Sequence, residues 1–171
     1  MKILITYFSQ SGNTKLIAEA IKNGLSTEEV ELKPINEMDP TEFGKYDLVF
    51  LGSGVYSSRI HSSVVNLIKK VTEFPPKFIY FCTHASLKLY QTPFIKVTRI
   101  LEKNNCTIIG EFDCVGENKV ISLESRMQTI NSLPPKERDK ALKNVKLTEG
   151  RPNGEDIKNA KKFAESILQK I

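Results

Sequence analysis

Thiols are scarce in this chain of 171 residues. Its three cysteines, Cys82, Cys106 and Cys114, show no Cys-x-x-Cys spacing. Three thiolates are one short of a ferredoxin-type cluster, and an odd count suits reduced thiols that serve as small buried hydrophobes. Long apolar runs are missing too. No stretch approaches the roughly 18–20 residues of a membrane span. The amino terminus carries only Lys2 ahead of its apolar run and no small-residue cleavage site behind it, so it lacks the signal-peptide pattern. A cytoplasmic location without a transmembrane segment is the expectation. Basic charge is present but not concentrated: the net charge is +5 and the pI about 9.0. No dense basic run is interleaved with aromatics, which argues against nucleic-acid binding. The moderate excess points to an acidic partner protein, an anionic cofactor or an anionic surface.

What is present is ordinary for a soluble globular protein: 40% hydrophobic and 26% charged residues. The length suits a single domain over 1–171 with a sizeable core. KILITYF (2–8), DLVFLGS (47–53) and KFIYFCT (77–83) read as continuous, fully buried strands. EVELKPI (29–35) alternates like an edge strand and carries Pro34; CTIIGEFDCVG (106–116) is a fifth strand. Between them lie helical patterns over 13–25, 61–71 and 92–104, the last with Pro93 in its first turn, and a closing helix follows from Gly154. Strands alternating with helices predict βαβ units and a parallel sheet with helices on both faces. The region 117–150, with Pro134-Pro135 and the run KERDKALKNVK, reads as a polar excursion holding one or two short helical turns.

Chemistry in such a sheet belongs beyond the carboxyl ends of the strands. Three loops there have unusual composition: SQSGNT (9–14), GSGVYSS (52–58) and THAS (83–86). In the first, a helix starting near Asn13 presents bare N–H groups and the positive end of its dipole, suited to a phosphate. Gly12 lets the chain turn round an anion, and Ser9, Ser11, Asn13 and Thr14 offer further donors. An ordinary N-cap would need only one of these residues. The loop is neither a Walker P-loop nor a Gly-x-Gly-x-x-Gly turn. In the second, glycines allow close approach, and Tyr56 is placed to stack on an aromatic ring or to cover the core. In the third, His84 is placed either to face a ligand or to make a structural hydrogen bond. His61 reads as a helix-start residue, and Lys15 and Arg59 lie near the loops.

Ser9-Gln10-Ser11-Gly12-Asn13-Thr14 resembles the phosphate fingerprint of the flavodoxin-like family, and the whole chain is similar to that family in length, element order and loop positions. The resemblance implies a three-layer α/β/α fold with a five-stranded parallel sheet of order 2-1-3-4-5. It implies FMN, held by Ser9, Gln10, Ser11, Gly12, Asn13 and Thr14 at the phosphate. Ser53, Gly54, Val55 and Tyr56 would flank the ring on one side, and Thr83, His84, Ala85 and Ser86, with Tyr90 beyond, on the other. The absence of tryptophan removes the Trp stack common in the family, and the basic charge departs from its usual acidity. The implied function is electron transfer between redox partner proteins by a monomer or weak dimer. The stretch 46–70 also resembles the menaquinone-dependent protoporphyrinogen oxidase branch. That gives a second reading, an FMN-dependent oxidoreductase acting on a quinone or protoporphyrinogen-like molecule. A third is an interaction module without flavin.

Overall fold

The computed structural model describes residues 1–25, 28–86 and 92–171. Its elements run β1 (Lys2–Phe8), α1 (Asn13–Gly24), β2 (Glu29–Pro34), β3 (Leu48–Tyr56), β4 (Arg59–Ile60), α2 (Ser62–Ile68), β5 (Lys77–His84), α3 (Ile95–Lys103), β6 (Thr107–Val115), α4 (Leu123–Asn131), α5 (Pro135–Thr148) and α6 (Gly154–Leu168), with two 3₁₀ turns between β2 and β3. The parallel strands lie in the order β2-β1-β3-β5-β6, and β4 pairs antiparallel with β3. Counting only the parallel strands, this is the expected 2-1-3-4-5 order with a sixth, two-residue strand added.

The central strands read as unbroken apolar runs because helices cover both faces of the sheet. Alternate residues of each strand serve opposite layers. Leu4, Val49, Leu51, Phe78 and Tyr80 join Val64, Ile68, Val97 and Leu101 of α2 and α3. Ile3, Ile5, Phe50, Ile79 and Phe81 join Ile17 and Ile21 of α1 and Ala160 and Ala164 of α6. Each fully buried Ile, Leu or Phe contributes about 1.5–3 kcal/mol. The three cysteines are buried and free. Burial raises the thiols of Cys82 and Cys114, the latter to about 12, which keeps them protonated and unreactive.

Three boundaries differ from the sequence expectation. β3 does not stop at Ser53 but runs to Tyr56 and turns back as β4. The two turn residues, Ser57 and Ser58, have φ of 47° and 65°, the left-handed values of a tight two-residue hairpin. Pro93 precedes α3 rather than lying in its first turn, because the helix starts at Ile95. The excursion after β6 holds two full helices, α4 and α5, not one or two short turns. Asn144 Nδ2 of α5 ties this pair to the sheet by donating to Ala85 O at 2.9 Å.

Candidate functional site

Strand order reverses between β1, which pairs β2 on one side, and β3 on the other. The crevice beyond the carboxyl ends of these strands is where ligands of open parallel sheets lie. A cleft of about 350 Å³ opens there. Register brings its walls together: Phe8 pairs Ser53, Gly54 pairs Thr83, and His84 pairs Val115. Four chain segments distant in sequence therefore end at one edge.

The first segment is the start of α1. Its cap residue is Gly12, with φ +89°, and no side chain caps the helix or places an acid in its first turn. A Cβ at Gly12 would meet nothing within 4 Å, so the glycine serves the left-handed turn and leaves open space above it. Gln10, Ser11, Asn13 and Thr14 line the cleft. Thr14 and Thr83 share a buried hydroxyl–hydroxyl bond of 2.9 Å, which joins the first loop to the third beneath the cleft. Asn13 Nδ2 donates to Glu117 O at 2.8 Å, while its Oδ1 is buried without a partner among the described residues. Ser9 and Gly12 instead line a smaller recess on the other side of the loop, beside Lys15, whose N–H donates to Ser9 Oγ at 3.3 Å.

Gly54, Val55 and Tyr56 form the second wall, together with Ser57. The two glycines make room for the protein's own aromatics. A Cβ at Gly52 would overlap the Phe81 ring at 2.1 Å, and one at Gly54 would meet the Tyr56 hydroxyl at 2.7 Å. Tyr56 thus lies back over Gly54, and the Gln10 main chain hydrogen-bonds its hydroxyl. Burial raises the phenol above its ordinary value, and the Gln10 bond opposes the rise. Ser53 is fully buried and outside the cleft; its hydroxyl donates to Gly54 O and accepts from His61 N–H. His61 stacks on Phe8 at 3.7 Å and caps α2 through Nδ1, which accepts from Ser63 N–H. It is a helix-start residue, as its position suggests.

Thr83, His84 and Ala85 form the third wall; Ser86 is not among the lining residues, and Tyr90 lies outside the described residues. His84 is buried, with Nδ1 2.6 Å from Ser86 O and Nε2 2.9 Å from Asp113 Oδ2. Both partners are acceptors, and they hold the ring from its two nitrogens. The His84 bond holds the Asp113 carboxyl below its ordinary value against the upward pull of burial. His84 thus makes structural hydrogen bonds and also lines the cleft.

The fourth wall escaped the sequence reading. Gly116, Glu117, Asn118, Val120 and Ile121 follow β6 and close the far side. Glu117 organises them: its N–H donates to Arg151 O, and its carboxylate accepts from Gly150 N–H and faces Arg126. The signal was available, because a fifth parallel strand must end at the same edge as the other four. Lys15 and Arg59 do not line the cleft. No group of three or more His, Cys, Asp or Glu among the described residues is placed to hold a metal. No described helix is long and apolar enough to cross a membrane.

Bare helix N–H groups, a left-handed glycine with free space above it and an unpartnered buried amide oxygen suit an anionic, hydroxyl-bearing ligand. An edge-of-sheet cleft at the switch point marks a doubly wound α/β protein whose ligand lies beyond the strand ends. More narrowly, the chain belongs to the flavodoxin domain family, whose model matches residues 4–165. It is 30% identical to an uncharacterized protein of Methanocaldococcus jannaschii over 173 residues, 99% of each chain. It is 28% identical over 177 residues to the flavodoxin-like domain-containing protein BilS of Clostridioides difficile, covering 99% of this chain and 98% of that one. The structure of flavodoxin 2 from Bacillus cereus superposes with a TM-score of 0.66 at 20% identity over the whole of both chains, which is a likeness of fold.

Proposed function

We propose that the chain binds FMN in this cleft and passes electrons between redox partner proteins. The observation that carries the reading is the glycine-capped start of α1, with Asn13 and Thr14 lining an open, donor-rich cleft. In the arrangement proposed, the N–H groups of Asn13 and Thr14 and the hydroxyls of Ser11 and Thr14 hold the phosphate. The Asn13 Oδ1 accepts from a ribityl hydroxyl. Val55 and Tyr56 wall the ring on one side, and Ala85 and the His84 segment on the other. Val120 and Ile121, each about half exposed, shield the open edge from water. The flavin, when bound, supplies one- or two-electron transfer. His84 and Glu117 are committed to hydrogen bonds within the fold, so the chain's part is to bind, orient and shield.

The test is reconstitution with FMN, followed through quenching of flavin fluorescence, and then an anaerobic reductant titration followed by visible absorption. Tight binding with two resolved one-electron steps is expected. Direct two-electron reduction would move the reading to an oxidoreductase acting on a small molecule. Failure to take up FMN would overturn both and leave an interaction module.

A further inference from the structure

A second groove, also about 350 Å³, adjoins the cleft and has no part in the reading above. Tyr56 belongs to the lining of both. Its floor is apolar: Ile60 of the hairpin, Val65 of α2 and Pro93 ahead of α3 are all buried. Ile95, at 52% exposure, stands at the edge as an apolar side chain without cover. The polar part of the lining is one-sided in charge. Arg59, Lys69 and Lys96 converge on the groove from three different elements, and no carboxylate lines it among the described residues. Nor does any of the three make an ion pair among the described residues, whereas Lys2 and Lys33 at β1 and β2 do.

Three like charges around one apolar hollow repel one another, and an anion placed among them relieves that repulsion. The hollow is as large as the cofactor cleft, which suits a small molecule rather than a flat protein contact. We infer that this groove binds a small apolar or aromatic carboxylate, its body on Ile60, Val65 and Pro93 and its anionic group among Arg59, Lys69 and Lys96. Binding itself does not depend on the flavin. That the occupant sits one tyrosine ring away from a redox cofactor does rest on the FMN reading, so the two are measured separately.

The experiment is a titration of the full-length ¹⁵N-labelled chain with 2-naphthoate, with and without FMN, read by amide chemical shifts. Saturable shifts are expected at Ile60, Asn66 and Ile95, with neutral 2-naphthamide at least tenfold weaker. Lys69→Ala and Lys96→Ala are each expected to weaken naphthoate about three- to fivefold, the range of a partly solvated charge contact. Asn66 is exposed, so Asn66→Trp fills the groove without disturbing the core; it is expected to abolish naphthoate shifts and leave FMN quenching unchanged. Shifts centred on Asn13 and Thr14 and reversed by FMN would place the molecule in the cofactor cleft and overturn the inference. So would equal binding of naphthamide, or a groove that responds only to an acidic peptide of alternating Glu and Leu. Naphthoate in the groove of a chain that refuses FMN would support the inference and overturn the cofactor reading alone.

Discussion

Two helices of this protein begin in opposite ways. At α6, Asn153 accepts from the N–H groups of Glu155 and Asp156, and Asp156 returns the bond to Asn153 N–H, a complete capping box. Arg151 braces that carboxylate through two bonds. At α1 the cap is a glycine with no side chain to offer, the Ser9 hydroxyl accepts only from Lys15 N–H, and no acid stands in the first turn. Both ends face the same four orphan donors. The α6 start satisfies them with a capping box, and the α1 start leaves the N–H groups of Asn13 and Thr14, both on the cleft lining, without a partner among the described residues. The difference separates a helix end built for stability from one that holds donors ready for something else.

The comparison breaks most severely if α1 is given what α6 has. Gly12→Asp adds a negative charge at the helix start, next to the Asn13 and Thr14 N–H groups proposed to hold the phosphate. FMN affinity is expected to fall about a hundredfold, the loss of one or two charge-assisted bonds. The left-handed φ costs about 1 kcal/mol of stability. Fluorescence quenching and thermal unfolding measure the two effects separately. The converse change uncaps α6. Asp156 is 3% exposed, and Asp156→Ala is expected to cost about 2–3 kcal/mol in urea unfolding while leaving FMN affinity within twofold. Asn153→Ala removes only the side-chain half of the box and should cost about 1 kcal/mol by the same measurement.

Acid sharpens the contrast with the smallest effect. Burial pulls the Asp156 carboxyl upward, but the Arg151 and Asn153 bonds outweigh it and hold it below its ordinary value. A depressed folded value means the stabilisation is complete above the unfolded value of about 3.9 and is lost as pH falls through the lower, folded one. Hydrogen–deuterium exchange at the amides of Glu155 and Asp156 should therefore rise, relative to the amides of Asn13 and Thr14, as pH drops below 4. Equal change at both helix starts would mean that α1 is capped by something else.

Much of this was legible in the sequence, for reasons that differ by element. β1 and the first parts of β3 and β5 are central strands, and continuous apolar runs announce burial on both faces. The α1 loop carried its own chemistry in six residues. The hairpin end of β3 did not show, because its turn is built from Ser57 and Ser58 where Asn and Gly are the usual signal. α4 and α5 were hidden by polarity: Ile130 and Thr148 are their buried residues, too few to make a stripe. The Asp113 partner of His84 depends on which residues of β5 and β6 lie opposite one another, and the bulge between Phe78 and Ile79 shifts that register. The fourth wall was missed because composition drew attention to three loops, whereas topology required a further one.

The hydroxyl pair of Thr14 and Thr83 has a consequence for the floor of the cleft. Each hydroxyl carries one hydrogen, and a single bond between them uses only one. Whichever threonine donates, the other keeps a hydrogen to offer upward. Rotation about two C–O bonds exchanges the roles with no heavy atom moving. The floor is thus a reversible donor that points from the first loop or from the third, wherever the molecule above it places its acceptor.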